Sequence, residues 1–201
     1  MKENPLLTQS ATGTKRLATI PLLAAVAFML YYLEFPLPAI PSFLKLDFSM
    51  LPGLLGGLMF GPAAGILIEL IKNVLHLLFK NTDGLLIGEL ANFVAGSTFI
   101  CTVVWIQRLR NNKGGLLMGF TLGTVIMTLI MSVANVYLLI PAYAALYQIS
   151  VENLLQSFQL DSMWSLILYA IAPFNVIKGV LLSLVAYPIF IKMAPRLQLK
   201  V

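Results

Sequence analysis

Long apolar runs separated by short polar stretches organise the chain from Leu17 onward. The runs cover Leu17 to Leu33, Met50 to Phe60, Ala63 to Phe79, Leu85 to about Gln107, Gly114 to about Pro141, and about Ser165 to Ile191. A helix that crosses lipid needs ~20 mainly apolar residues, so about six spans would use ~120 residues and leave the rest for ends and loops. The runs are continuous rather than ten-residue alternations, which excludes a transmembrane barrel. The expected fold is therefore all-α, a polytopic membrane protein with six transmembrane helices. The first run is longer than a signal-peptide core and lacks a small-residue cleavage site after it, so it reads as a retained span. Between Phe35 and Ser49 lie Pro36, Pro38, Pro41, Lys45 and Asp47. That segment is too polar and proline-rich to cross lipid as a regular helix, which makes it an ordered external or re-entrant loop after helix 1. Met50 to Phe60 is unusually short and forms a hairpin with the next run across Gly61-Pro62.

Composition supports this division: 59% of the 201 residues are hydrophobic and 10% are charged, against about 25% charged in ordinary soluble domains. The net charge of +5 would suggest nucleic acid in a soluble protein, but the cations are placed otherwise. Lys2, Lys15 and Arg16 precede the first run, Arg108, Arg110 and Lys113 separate two later ones, and Lys192, Arg196 and Lys200 close the chain. Short loops rich in Lys and Arg stay in the cytoplasm, so the charge orients the protein and implies no nucleic-acid partner. An even number of spans puts both termini on that side. The expected organisation is a cytoplasmic tail over residues 1–16, loose and polar in its first fourteen, one six-helix transmembrane domain over 17–193, and a cytoplasmic tail over 194–201. The loop from Ala142 to Trp164 carries Glu152 and Asp161 but no Lys or Arg, as an outer loop should. Cys101 has no partner for a disulfide within the chain, and with the single His76 it makes no metal cluster unless carboxylates supply the rest.

Polar side chains inside spans are costly and mark functional candidates. Glu69, Lys72, Asn73, His76 and Lys80 fall at i, i+3, i+4, i+7 and i+11, one stripe on the third span. The stripe fits a neutralised pair, Glu69 with Lys72 or Asn73, plus cations snorkelling outward; it also fits a cavity lining. On the fifth span Thr121, Thr124, Thr128, Ser132 and Asn135 share a face opposite Gly115, Gly119 and Gly123. The glycines permit close helix packing, and the hydroxyls can bond to their own backbone, which leaves Asn135 most in need of a partner. Glu89 with Asn92, and Asn175 with Lys178, each project to one side of a span. Asn92, Asn135 and Asn175 fall in the outer half of their helices, with Lys178 somewhat deeper. Together with Lys45 and Asp47 in the loop they suggest an outward pocket capped by that loop. The alternative is a hydrogen-bonded helix interface. The sequence contains no phosphate-binding G-x-x-x-x-G-K-[ST], HExxH or GxSxG motif, so an outward-facing small-molecule site implies passive or ion-driven transport, or a binding subunit that borrows energy from partners.

The stretch FPLPAIPSFLKLDFSMLPGLLGGLMFGPAAG, followed by IELIKNVLHLLF, GELANFVAG, NVYLLIPAY and PFNVIKG, resembles the riboflavin-specific substrate-binding (S) subunits of energy-coupling factor (ECF) vitamin transporters. The similarity spans roughly residues 34 to 180. It implies a subunit of the bacterial cell membrane that captures riboflavin outside and works with a transmembrane coupling subunit and two cytoplasmic ATPases. Riboflavin is then the transported substrate, with no cofactor and no catalysis in this chain. Leu46, Asp47, Asn92, Asn135, Asn175 and Lys178 match the family's binding motifs. Asn amides suit the alternating carbonyl and N–H groups of a flavin's pyrimidine edge. Lys178 is expected to donate to ring acceptors, and Asp47 with loop backbone to meet ribityl hydroxyls; an internal counter-ion role for Lys178, toward Glu89 or Asp47, is the alternative. Family members commonly carry alanines four apart on the first span, facing the coupling subunit. Here Ala18, Ala24, Ala25 and Ala27 supply no such pair, and Pro21 with Ala25 comes nearest.

Two rivals stand beside this reading. One is the same fold tuned to another vitamin, such as thiamine or biotin. The other is a membrane enzyme or structural membrane protein that uses the stripe from Glu69 to His76.

Overall fold

A computed structural model describes residues 5–38, 40–80, 86–158 and 160–195, with side chains from Lys15 onward. Lys2, Arg196 and Lys200, and most of the expected C-terminal tail, lie outside the described residues.

Helix α1 covers Pro5–Tyr32, α2 Met50–Phe60, α3 Pro62–Phe79 and α4 Ile87–Arg110. A continuous helical stretch, Lys113–Leu146, comprises α5 (Lys113–Ala134), a π-helical segment π1 (Asn135–Leu139) and α6 (Ile140–Leu146). After α7 (Val151–Ser157), a second stretch is built from α8 (Met163–Leu166), π2 (Ile167–Ile171) and α9 (Ala172–Met193). Five of these helices are long and apolar enough to cross a membrane, and α2 is a shorter apolar helix. At about 1.5 Å per residue the 11 residues of α2 reach roughly 16 Å, half of a ~30 Å hydrocarbon layer. The second of the six expected spans is thus a half-span.

Three boundaries differ from expectation. Helix α1 starts at Pro5 rather than near Leu17, because the polar segment before Lys15 contains Leu, Thr, Gln, Ser and Ala, none of which stops a helix. The fifth span continues past Pro141 to Leu146. Pro141 follows just after the π segment, inside that continuous stretch. Finally, the helical chain includes one small sheet: β1 (Phe35–Pro36) pairs antiparallel with β2 (Lys45–Leu46), Phe35 opposite Leu46. This ladder folds the proline-rich loop back on itself.

Packing follows the rule for helices in lipid, where small residues set the approach distance. Gly57 and Gly65 bring α2 and α3 together, and a Cβ on Gly57 would lie 3.7 Å from the Gly65 backbone. Gly61, at φ 108°, makes the turn between them, a conformation suited to glycine. On α5, Gly119 and Gly123 lie against Val103 and Phe99 of α4. The hydroxyls of Thr121, Thr124, Thr128 and Ser132 each donate to a carbonyl four residues back in their own helix. The buried core is built around Met50, Leu54, Phe99, Ile100, Val103 and Leu116. Leu22, Met29, Trp105, Leu129, Tyr137 and Leu184 face outward, as an apolar solvent around the bundle requires.

Because α2 is short, the loop that precedes it enters the bundle before helix begins. Leu46, Asp47, Ser49 and Met50 are all buried. This re-entry carries a carboxylate to the level of the polar residues on α4 and α9.

Candidate functional site

Asp47 is the centre of the polar interior. Its Oδ1 accepts from the backbone N–H of Ser49 at 2.8 Å and from the Ser49 hydroxyl, a turn that starts α2. Its Oδ2 accepts from Lys178 Nζ at 2.9 Å and Asn92 Nδ2 at 3.3 Å. Burial alone would raise the Asp47 carboxyl's pKa, but the ammonium groups of Lys178 and Lys72 and the Ser49 hydrogen bonds outweigh it. The group is held below the usual carboxylate range and stays ionised.

The cavity lies beside this centre, lined by Tyr31 of α1, loop residues Phe43 and Leu44, His76 of α3, Asn92 of α4, Asn135 of π1, and Asn175 and Lys178 of α9. Asn135 and Asn175 each donate Nδ2 to the carbonyl four residues back, Met131 and Ile171, at 2.8 Å. That fixes the amide planes and leaves Oδ1 and one N–H of each amide for another molecule. Among the described residues, Asn92 Oδ1 has no hydrogen-bond partner although it is buried. A buried carbonyl of this kind is an acceptor awaiting a donor. The π segments adjoin two of these residues: Asn135 opens π1, and Asn175 bonds to the last residue of π2. A π turn adds a residue to the helix and redirects the side chains after it, a feature frequent at functional sites.

A second polar cluster rims the cavity. Glu34 Oε1 lies 3.3 Å from both Lys45 Nζ and Lys80 Nζ and 4.0 Å from His76 Nε2. His76 Nδ1 lies 3.1 Å from Glu89 Oε1, and its ring stacks on Tyr31 with centroids 3.7 Å apart. Met131, Leu139 and Phe174 add an apolar wall. One cavity thus offers fixed amides, an ammonium and an apolar wall. That combination suits a planar molecule with one hydrogen-bonding edge and one apolar edge.

Of the six residues singled out in sequence, Asn92, Asn135, Asn175 and Lys178 line the cavity. Leu46 and Asp47 do not; they are buried behind it. The Asp47 carboxylate bonds to Lys178, Asn92 and Ser49, so Lys178 is paired with Asp47, the counter-ion arrangement that stood as the alternative. Sequence reasoning missed Tyr31 and Glu34, although Ala24, Ala27 and Tyr31 follow a helical repeat that marks the inward face of α1, with Glu34 just past its end. It also missed Ser49 and the hydrogen bond that Lys72 makes to it. The polar stripe on the third span does face inward: Glu69 pairs with Lys72 at 2.7 Å, while His76 and Lys80 line the cavity. Among the described residues, no group of His, Cys, Asp and Glu is arranged to hold a metal ion.

Comparison with known proteins places this geometry. The family profile "ECF transporter, substrate-specific component" matches residues 15–190. The chain is 37% identical over 183 residues to the riboflavin transporter FmnP of Bacillus subtilis (strain 168), covering 90% of this chain and 93% of the relative. It is also 37% identical to the riboflavin transporter RibU of Staphylococcus aureus (strain TCH60), with 90% of each chain covered. A solved structure described as the S component of a bacterial ECF transporter superposes with a TM-score of 0.75 at 36% identity, covering 92% of this chain and 98% of that one. The match extends over most of the chain and includes the loop and all the cavity-lining helices, so this protein belongs to the substrate-specific (S) components of ECF transporters.

Proposed function

We propose that the chain captures riboflavin at the outer face of the bacterial cell membrane and delivers it for uptake, working with a transmembrane coupling subunit and two cytoplasmic ATPases. The observation that carries this is the convergence of Asn92, Asn135, Asn175 and Lys178 on one cavity, in a chain whose relatives are riboflavin transporters. A flavin's pyrimidine edge alternates carbonyl acceptors with an N–H donor. The free Oδ1 atoms suit the N–H, while the spare amide hydrogens and Lys178 suit the carbonyls. The apolar wall of Met131, Leu139 and Phe174 takes the dimethylbenzene edge. The names of these relatives leave thiamine and biotin without support as substrates.

The orientation rests on charge. Arg108, Arg110, Lys113 and Lys192 lie at the ends of helices away from the cavity, which puts that end in the cytoplasm and the cavity outside. With the helix order observed, both termini then face the cytoplasm. Coupling to the partner subunit falls to the exposed small residues of α1, Ala18, Pro21 and Ala25, since Ala24 and Ala27 are buried within the bundle.

The test is titration of the purified chain with riboflavin, followed by quenching of flavin fluorescence. Asn135→Ala and Asn175→Ala should each weaken binding about tenfold or more, as expected for a lost buried hydrogen bond, and Leu129→Ala, on the outward face of α5, should leave it near wild type. Equal affinity in all of them would refute the pocket.

A further inference from the structure

The polar interior extends past the cavity wall to residues that no ligand in the cavity touches. Lys72 of α3 is fully buried and lines no part of the cavity. Its Nζ lies 2.7 Å from Glu69 Oε2 and donates to Ser49 Oγ at 2.7 Å. Because an ammonium can only donate, the Ser49 oxygen must accept from it, and the hydroxyl hydrogen is left to point at Asp47 Oδ1. Asp47 in turn holds Lys178 and Asn92, both of which line the cavity. The chain Glu69, Lys72, Ser49, Asp47, Lys178 therefore alternates in charge around one hydroxyl and sums to zero.

The arrangement is specific for its place. Gly53 of α2 and Gly96 of α4 flank the Glu69 carboxylate, and a Cβ on Gly53 would come within 2.6 Å of Glu69 Oε1. The bundle thus leaves space for an acid there. A buried pair costs desolvation energy that apolar packing would not, so it is weak evidence for stability alone. What it does achieve is to fix the Ser49 hydroxyl, and through it the direction of the Asp47 carboxylate. Ser49 precedes α2 but its side chain makes no cap to that helix, so its hydroxyl is free for this relay.

We infer that Lys72 is a positioning residue for the capture site, acting through Ser49 and Asp47 to aim the Lys178 ammonium and the Asn92 amide at the ligand. This rests on the riboflavin reading. The ligand never meets Lys72, yet its affinity depends on it.

The experiment measures riboflavin dissociation constants and thermal unfolding of the purified full chain. Ser49→Ala breaks the relay without changing any charge, and the pair Glu69→Gln with Lys72→Met removes both charges of the buried pair together. Each should weaken binding by about fivefold to twentyfold, as loss of one or two ordered hydrogen bonds predicts. In a Lys178→Met background, Ser49→Ala should cause a smaller loss than in wild type, because the part of its effect that passes through Lys178 is already gone and only the Asn92 branch remains. Wild-type affinity in folded Ser49→Ala protein overturns the inference, as does an equal loss from Ser49→Ala with and without Lys178. A wild-type chain that binds no flavin overturns the functional reading and this inference with it.

Discussion

Lys178 Nζ stands 2.9 Å from Asp47 Oδ2, a buried ion pair that joins α9 to the loop before α2 across 131 residues of sequence. A buried pair of this kind is costly to break from one side, because the remaining charge stays in the bundle without a counter-ion. It is also the point where the ligand site and the fold share an atom.

Lys178→Met should therefore destabilise the protein by about 3–5 kcal/mol. Asp47→Asn combined with Lys178→Met should recover most of that, since neither charge is then stranded. Flavin affinity should stay low in both. Thermal unfolding beside flavin titration separates the two effects, and a double variant as unstable as the single one would contradict the pairing.

The glycines around Glu69 predict a steric effect. A Cβ on Gly96 would overlap the Glu69 carboxylate, whereas one on Gly88 would meet only the Tyr143 hydroxyl at 3.7 Å. Gly96→Ala should cost about 1–3 kcal/mol through overpacking, and Gly88→Ala should be nearly neutral. Unfolding curves of the two variants check this; equal stability would place Glu69 elsewhere.

Acid should act on Asp47 late. Its pKa is depressed from an ordinary 3.8, so the unfolded chain holds the proton more tightly than the folded one. The stability it contributes is full above the unfolded value and disappears as pH falls through the lower folded value. The difference in stability between wild type and Asp47→Asn should be constant from about pH 8 to 5 and shrink only in stronger acid. A difference that titrates near neutrality would contradict the assignment.

The helical membrane fold was legible because a run such as Leu85 to Gln107 can satisfy its backbone in lipid in only one way. The four cavity residues were legible because amides and a lysine inside apolar runs are expensive enough to need a reason. Asp47 was legible as a polar loop residue and as the alternative counter-ion of Lys178, but its bonds to Ser49 and Asn92 were not. The loop re-enters the bundle only because α2 is a half-span, and the sequence does not say where Asp47 comes to rest relative to Lys178. The two π turns were equally hidden, since the residues of NVYLL and ILYAI suit an ordinary helix. Lys72 looked like a surface-seeking cation or half of a local pair. Only the packed bundle brings Ser49 to it from 23 residues away.

The most direct test of the central claim is the visible absorption of the chain purified from bacterial membranes in mild detergent. A riboflavin-capturing S component should emerge yellow, with a flavin spectrum that is retained through washing and lost in the Asn175→Ala, Lys178→Met double variant. Colourless wild-type protein that also fails to quench added riboflavin would contradict the account.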